Sequence, residues 1–99
     1  MDRIERIKYM EEIFDKSSEV INKVMIALSD YSDIMDDLKE LTSYYESSDW
    51  QKDYEEDEAG NLPRNLKRGV LSQDGVYNLL EENANLLDTL DDLLARSEE

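Results

Sequence analysis

The sequence predicts an all-α protein with a long amphipathic N-terminal helix, a short middle helix and a C-terminal helix, forming a helical bundle or hairpin. Three observations predict it. Residues 2–46 contain neither Gly nor Pro, so nothing in that stretch removes a helical hydrogen bond or loosens the backbone. Apolar residues recur there, and again after residue 73, at helical spacing. Gly60, Pro63 and Gly69, which punctuate the chain, fall between those two segments.

The first helix is predicted over about residues 2–46. With Ile7 placed at heptad position a, Phe14, Ile21, Leu28 and Met35 follow at a, while Met10, Val24, Tyr31, Leu38 and Tyr45 fall at d. Ser17 and Thr42 are the two gaps. The g positions are apolar as well, from Ile13 through Val20, Ala27 and Ile34 to Leu41. Three apolar columns make a wide stripe, the pattern of a helix in a globular bundle rather than a narrow two-stranded seam. Such a helix would run about 65 Å at 1.5 Å per residue. A bend is therefore expected at Ser17-Ser18 or between Ser29 and Ser32.

Ser48-Asp49-Trp50-Gln51 reads as a capping box that opens a second helix over about 49–58. Gly60 should end it, in the left-handed conformation that glycine adopts most easily. Pro63 pushes Leu62 out of helical geometry, so residues 59–71 are read as a loop, with a single turn at Asn65–Arg68. Ser72 is placed to cap the last helix, over about 73–96. There Val76, Leu79, Leu80, Leu86, Leu87, Leu90, Leu93 and Leu94 share a face whose polar member is Asn83. A polar residue on an apolar seam usually meets a partner across it, and Thr42 and Ser17 are the expected ones. Residues 1–99 are read as a single domain. The first helix carries more apolar length than the last can cover, so a homodimer is expected.

Charge and composition exclude whole classes of function. The chain has 26 acidic and 11 basic residues, a net charge of −15. That field repels phosphate and anionic lipid, so neither direct nucleic-acid binding nor membrane-surface binding is expected. Cys and His are both absent, which removes thiol nucleophiles, disulfides, Cys/His zinc sites and His-dependent triads. The run Met1-Asp2-Arg3-Ile4-Glu5-Arg6 has no signal-peptide character. The longest unbroken apolar run, Val24 to Leu28, falls far short of the roughly 20 residues that span a bilayer. A cytoplasmic location is expected.

Carboxylate pairs at i, i+3 recur, as in Asp30-x-x-Asp33, Asp33-x-x-Asp36, Asp37-x-x-Glu40 and Asp88-x-x-Asp91. Comparable pairs hold Mg²⁺ in all-helical nucleotide pyrophosphohydrolases. Here they fall opposite the apolar stripe, whereas a bundle metal site needs inward-projecting ligands, so no metal and no catalytic residue is assigned. The run from Asp53 resembles half of a calcium loop. It has Glu58 and Arg64 where an EF-hand needs Gly and Glu, and the match fails.

The stretch from Trp50 to Ser72 is the most informative. Arg64, Lys67 and Arg68 sit within five positions of an otherwise acidic chain, just before Gly69 and Ser72 at a predicted helix start. Cations beside a helix amino terminus suit an anion. The competing reading pairs these cations with Glu55–Glu58. Tyr44, Tyr45, Trp50 and Tyr54 concentrate at the first turn of the chain, either as a small satellite core or, for Trp50 and Tyr54, as interface anchors.

Those same residues carry a resemblance. The run Asp49-Trp50-Gln51-Lys52-Asp53-Tyr54-Glu55-Glu56-Asp57-Glu58-Ala59-Gly60 is followed by Leu62-Pro63, then Leu66-Lys67-Arg68-Gly69-Val70-Leu71-Ser72-x-Asp74-x-x-Tyr77. With Arg6-Ile7-x-x-Met10-Glu11 near the start, this resembles the bacterial family known as domain of unknown function 4298, over nearly the whole chain. The resemblance implies a small bacterial cytoplasmic protein and transfers no catalytic residue or cofactor.

The sequence therefore points to a non-enzymatic interaction or scaffold domain that binds a protein or anionic partner. The expected binding residues are Trp50, Tyr54, Arg64, Lys67, Arg68, Gly69 and Ser72, with no cofactor. A Mg²⁺-dependent hydrolase of phosphorylated small molecules is the alternative from another class. An acidic mimic of nucleic acid is a third.

Overall fold

The computed structural model describes residues 1–98 and contains three α-helices, with no strand among the described residues: α1 (Arg3–Tyr45), α2 (Ser48–Glu58) and α3 (Gly75–Ser97). A 3₁₀ turn, Gly69–Leu71, precedes α3. The chain forms two compact units, Met1–Leu38 and Lys39–Glu99.

The first unit is helix from Arg3 onward. Asp2 opens α1 by accepting the Glu5 amide on its side chain at 2.8 Å, which satisfies one of the helix's free donors, while its carbonyl takes the Arg6 amide as the first regular helical bond. The helix then runs unbroken to Tyr45. No interruption occurs at Ser17-Ser18 or between Ser29 and Ser32. Serine keeps its backbone N–H and lowers helix propensity by only a few tenths of a kcal/mol, so a serine pair gives no mechanism for stopping a helix. The exposed Lys23–Glu19 pair spans one turn at 3.1 Å and contributes roughly 0.3–0.5 kcal/mol. Between Ile4 and Leu28 every seam position is exposed. From Tyr31 onward, Tyr31, Leu38, Thr42 and Tyr45 are half-buried.

The second unit is organised by hydrogen-bonded turns rather than by a large core. Ser47 serves two helices at once. Its Oγ donates to the Tyr44 carbonyl at 2.6 Å and accepts from the Trp50 amide at 3.3 Å, closing α1 and opening α2. The expected cap at Ser48 is thus one residue late: Ser48 is the first helical residue of α2, and the capping box is not formed. At the other end of α2, Gly60 adopts φ +75°. Its amide bonds Asp57 O, and the Asn61 amide bonds Glu56 O, both at 3.0 Å. This is the two-bond Schellman closure that the left-handed residue permits.

The connection to α3 also differs in detail from expectation. Its single turn spans Pro63–Leu66, closed by the Leu66 amide on Pro63 O at 3.2 Å, instead of Asn65–Arg68. Helix α3 starts at Gly75, not Gln73. The cap position is Asp74, which makes no side-chain bond to the helix, and not Ser72; the Ser72 Oγ nonetheless accepts the Gly75 amide at 3.0 Å and donates to Gly69 O at 2.9 Å. Leu71, on the 3₁₀ turn, and Val76, in the first turn of α3, are the buried residues among those described. Asn83 is half-buried on α3, and neither it nor Thr42 lacks a partner.

Candidate functional site

The second unit folds around a clasp in which α2 holds the 3₁₀ turn and the start of α3. Trp50 is its centre. The indole stacks on Tyr54, with centroids 5.2 Å apart and rings inclined by 15°, and receives the edge of Tyr45 at 5.2 Å and 74°. These offset and edge contacts are the arrangements aromatic quadrupoles favour. The indole N–H then donates to Val70 O at 2.8 Å, tying α2 to the 3₁₀ turn. The Tyr54 hydroxyl accepts from the Gln73 amide at 3.0 Å. Tyr44 stands outside this stack and donates its hydroxyl to Asp53 at 2.6 Å, which pushes the phenol up to about 12. A phenolate there would lose the bond and face the Asp53 and Asp49 charges.

Arg68 is the second tie. Its guanidinium pairs with Asp57 at 2.5 Å and donates to the Pro63 and Leu66 carbonyls. One planar fork thereby pins the loop onto the last turn of α2, a task that suits arginine and not lysine. The three cations of the loop differ in their pairing. Arg68 pairs internally. Arg64 and Lys67 are exposed and form no ion pair among the described residues.

Five of the seven predicted site residues divide between two hollows. Tyr54, Arg68 and Ser72 line one of about 390 Å³, together with Asp57, Glu58, Leu71, Gln73 and Asp74. Three carboxylates around an already paired arginine make it a poor anion site. Lys67 and Gly69 line the other, of about 410 Å³, whose walls are Leu41, Val70, Gly75, Val76 and Leu79. That groove is apolar except for Lys67. Trp50 and Arg64 line neither, although Trp50 fixes the backbone of Val70. The apolar walls were absent from the predicted site, because Leu41 and Leu79 lie on helices far apart in sequence and only folding brings them together.

Gly75 explains why groove and clasp fit so closely. A Cβ there would stand 2.6 Å from Gly69 O and nearer still to Ser72 Oγ, so only glycine lets α3 start against the 3₁₀ turn. Among the described residues no three acidic side chains converge where they could hold a metal ion. None of the described helices is long and apolar enough to cross a membrane.

Neither a curated protein nor a solved structure matches the chain. A family's sequence model does, over residues 7–92 of 99, and includes α2, the clasp and most of both long helices. On that match the chain belongs to the family described as Domain of unknown function (DUF4298).

Proposed function

We propose that this protein is a non-enzymatic interaction domain of the bacterial cytoplasm, and that the clasp presents the groove beside Lys67 to a partner protein. The groove carries the reading. Leu41, Val70, Val76 and Leu79 offer an apolar floor, and Lys67 supplies the charge at its edge, with Arg64 exposed nearby in sequence. A few placed polar groups on an apolar concavity are the usual composition of a recognition site. The chemistry suits an apolar side chain next to a carboxylate or phosphate on the partner. In a chain of net charge −15, these two cations lessen the repulsion that an anionic group meets there. No residue is assigned a catalytic role, and nothing in the geometry favours the hydrolase reading over this one.

The test is capture of partners from a lysate of the source organism by the wild type and by an Arg64→Ala/Lys67→Ala variant of equal helicity. Loss of a discrete partner from the folded variant supports the reading. Identical capture by the two proteins contradicts it.

A further inference from the structure

The groove leaves the longest apolar surface of the molecule without a role. Ile4, Ile7, Met10, Phe14, Ile21 and Met25 on α1 are 53–68% exposed.

We propose that a second copy of this chain covers that surface, and that the two α1 helices pair antiparallel about a two-fold axis between Asp15 and Lys16. Three observations select this occupant and this register.

The first is charge. Residues 1–25 hold five basic and six acidic residues, whereas residues 26–99 hold six and twenty. The exposed stripe thus lies on the one long segment that is nearly neutral, where a copy of an acidic protein can approach. Parallel pairing would gather Asp30, Asp33, Asp36, Asp37 and Glu40 of both helices at one end of the pair. Antiparallel pairing about residues 15 and 16 sends the two acidic segments to opposite ends, and sets Arg3 beside Leu28 and Arg6 beside Met25 of the second copy, at the edge of its acidic segment.

The second is shape. Ser17 and Ser18 leave a hollow on the helix face between Phe14 and Ile21. In antiparallel packing each a residue faces a d residue, and in this register Phe14 faces Ser17 of the second copy. The bulkiest side chain of the stripe meets its smallest, twice by symmetry, as dense packing requires.

The third is self-complementarity. The same register sets Ile7 against Val24 and Met10 against Ile21, so the layers that flank the Phe14–Ser17 pair are apolar on both sides. The a and d positions from residue 7 to residue 24 are close to palindromic in this sense, which a two-fold interface demands and which a groove for an unrelated partner does not.

Sedimentation and spin-label distances on the full chain test this. The protein has no Cys, so Asp15→Cys and Ser29→Cys each give one labelling site per chain. A dimer is expected, with Asp15→Cys labels within about 20 Å of each other and Ser29→Cys labels about 40 Å apart, from 27 residues of stagger at 1.5 Å each. Equal distances at the two sites would overturn the antiparallel register. A monomer at about 100 µM, with or without uptake onto anionic vesicles, would overturn the self-association itself. Ser17→Phe separates specific pairing from mere stickiness. It enlarges the apolar stripe yet crowds Phe14 of the second copy, so dissociation should become about tenfold easier, and tighter association would overturn the proposal.

Discussion

Replacing Gly75 by Ala should destabilise the protein, although alanine is the better helix former. At a compatible helical position the exchange stabilises by about 0.4–1 kcal/mol. Here the new methyl would stand 2.6 Å from Gly69 O, with Ser72 Oγ closer still. The hydroxyl can rotate away, but it then gives up its bonds to the Gly75 amide and to Gly69 O, and loss of a cap costs about 1 kcal/mol. The carbonyl cannot rotate away, because it also accepts the Ser72 amide; overpacking of this kind costs about 1–3 kcal/mol. The net loss is about 1–3 kcal/mol, or a fall in Tm of roughly 5–15 °C for a domain of this size. Thermal and urea unfolding by circular dichroism would measure it. Gly69→Ala, where an added Cβ meets nothing within 4 Å, is the control and should change Tm far less. Ser72→Ala/Gly75→Ala should cost less than the sum of its parts, since one change removes an atom with which the other collides. An unchanged or raised Tm for Gly75→Ala would refute the close approach of α3 to the 3₁₀ turn.

Three further outcomes are expected. Trp50→Phe keeps a ring on Tyr54 but loses the bond to Val70 O, which should lower the urea-unfolding free energy by about 0.5–1.5 kcal/mol; no change would mean that the indole N–H does not tie α2 to the turn. Arg68→Lys cannot reproduce a fork that reaches Asp57, Pro63 and Leu66 together, so amide exchange across residues 63–71 should quicken and stability should drop by about 1–3 kcal/mol. Tyr44, with its phenol raised to about 12 by Asp53, binds its proton more tightly folded than unfolded. Its contribution is complete below pH 10 and is lost as pH rises through 12, so Tyr44→Phe should flatten the alkaline limb of the stability profile, and an unaltered limb would exclude the Asp53 bond as its cause.

Much of the fold was legible because its determinants are local. The lack of Gly and Pro before residue 46 and the apolar period suffice for α1, and Gly60 announces the end of α2 by the one backbone conformation it tolerates cheaply. Cap positions were less legible. Ser47 and Ser48 offer the same forward bond, and what favours Ser47 is a second bond backward to Tyr44 O, which depends on how α1 has already ended. Ser72 likewise bonds forward to Gly75 and back to Gly69, so α3 starts two residues later than a forward pattern suggests. The site was legible in part. Opposite charges on residues 55–58 and 64–68 announced an ion pair, but which arginine makes it depends on the Pro63–Leu66 turn presenting two carbonyls to Arg68. The groove could not be seen at all, because Leu41 and Val76 are 35 positions apart in the chain.

The division of labour among the cations gives the most direct test of function. Arg68 is consumed in holding the loop, while Lys67 lines the groove and Arg64 is exposed three residues before it. A photo-crosslinking residue at Val70, 42% exposed on the groove wall, should be compared in the source organism with the same residue at Asp33 on the acidic side of α1. A discrete crosslinked partner from position 70, abolished by Arg64→Ala/Lys67→Ala and absent from position 33, is the expected result. No crosslink from position 70, or the same products from both positions, would contradict an interaction domain that works through this groove.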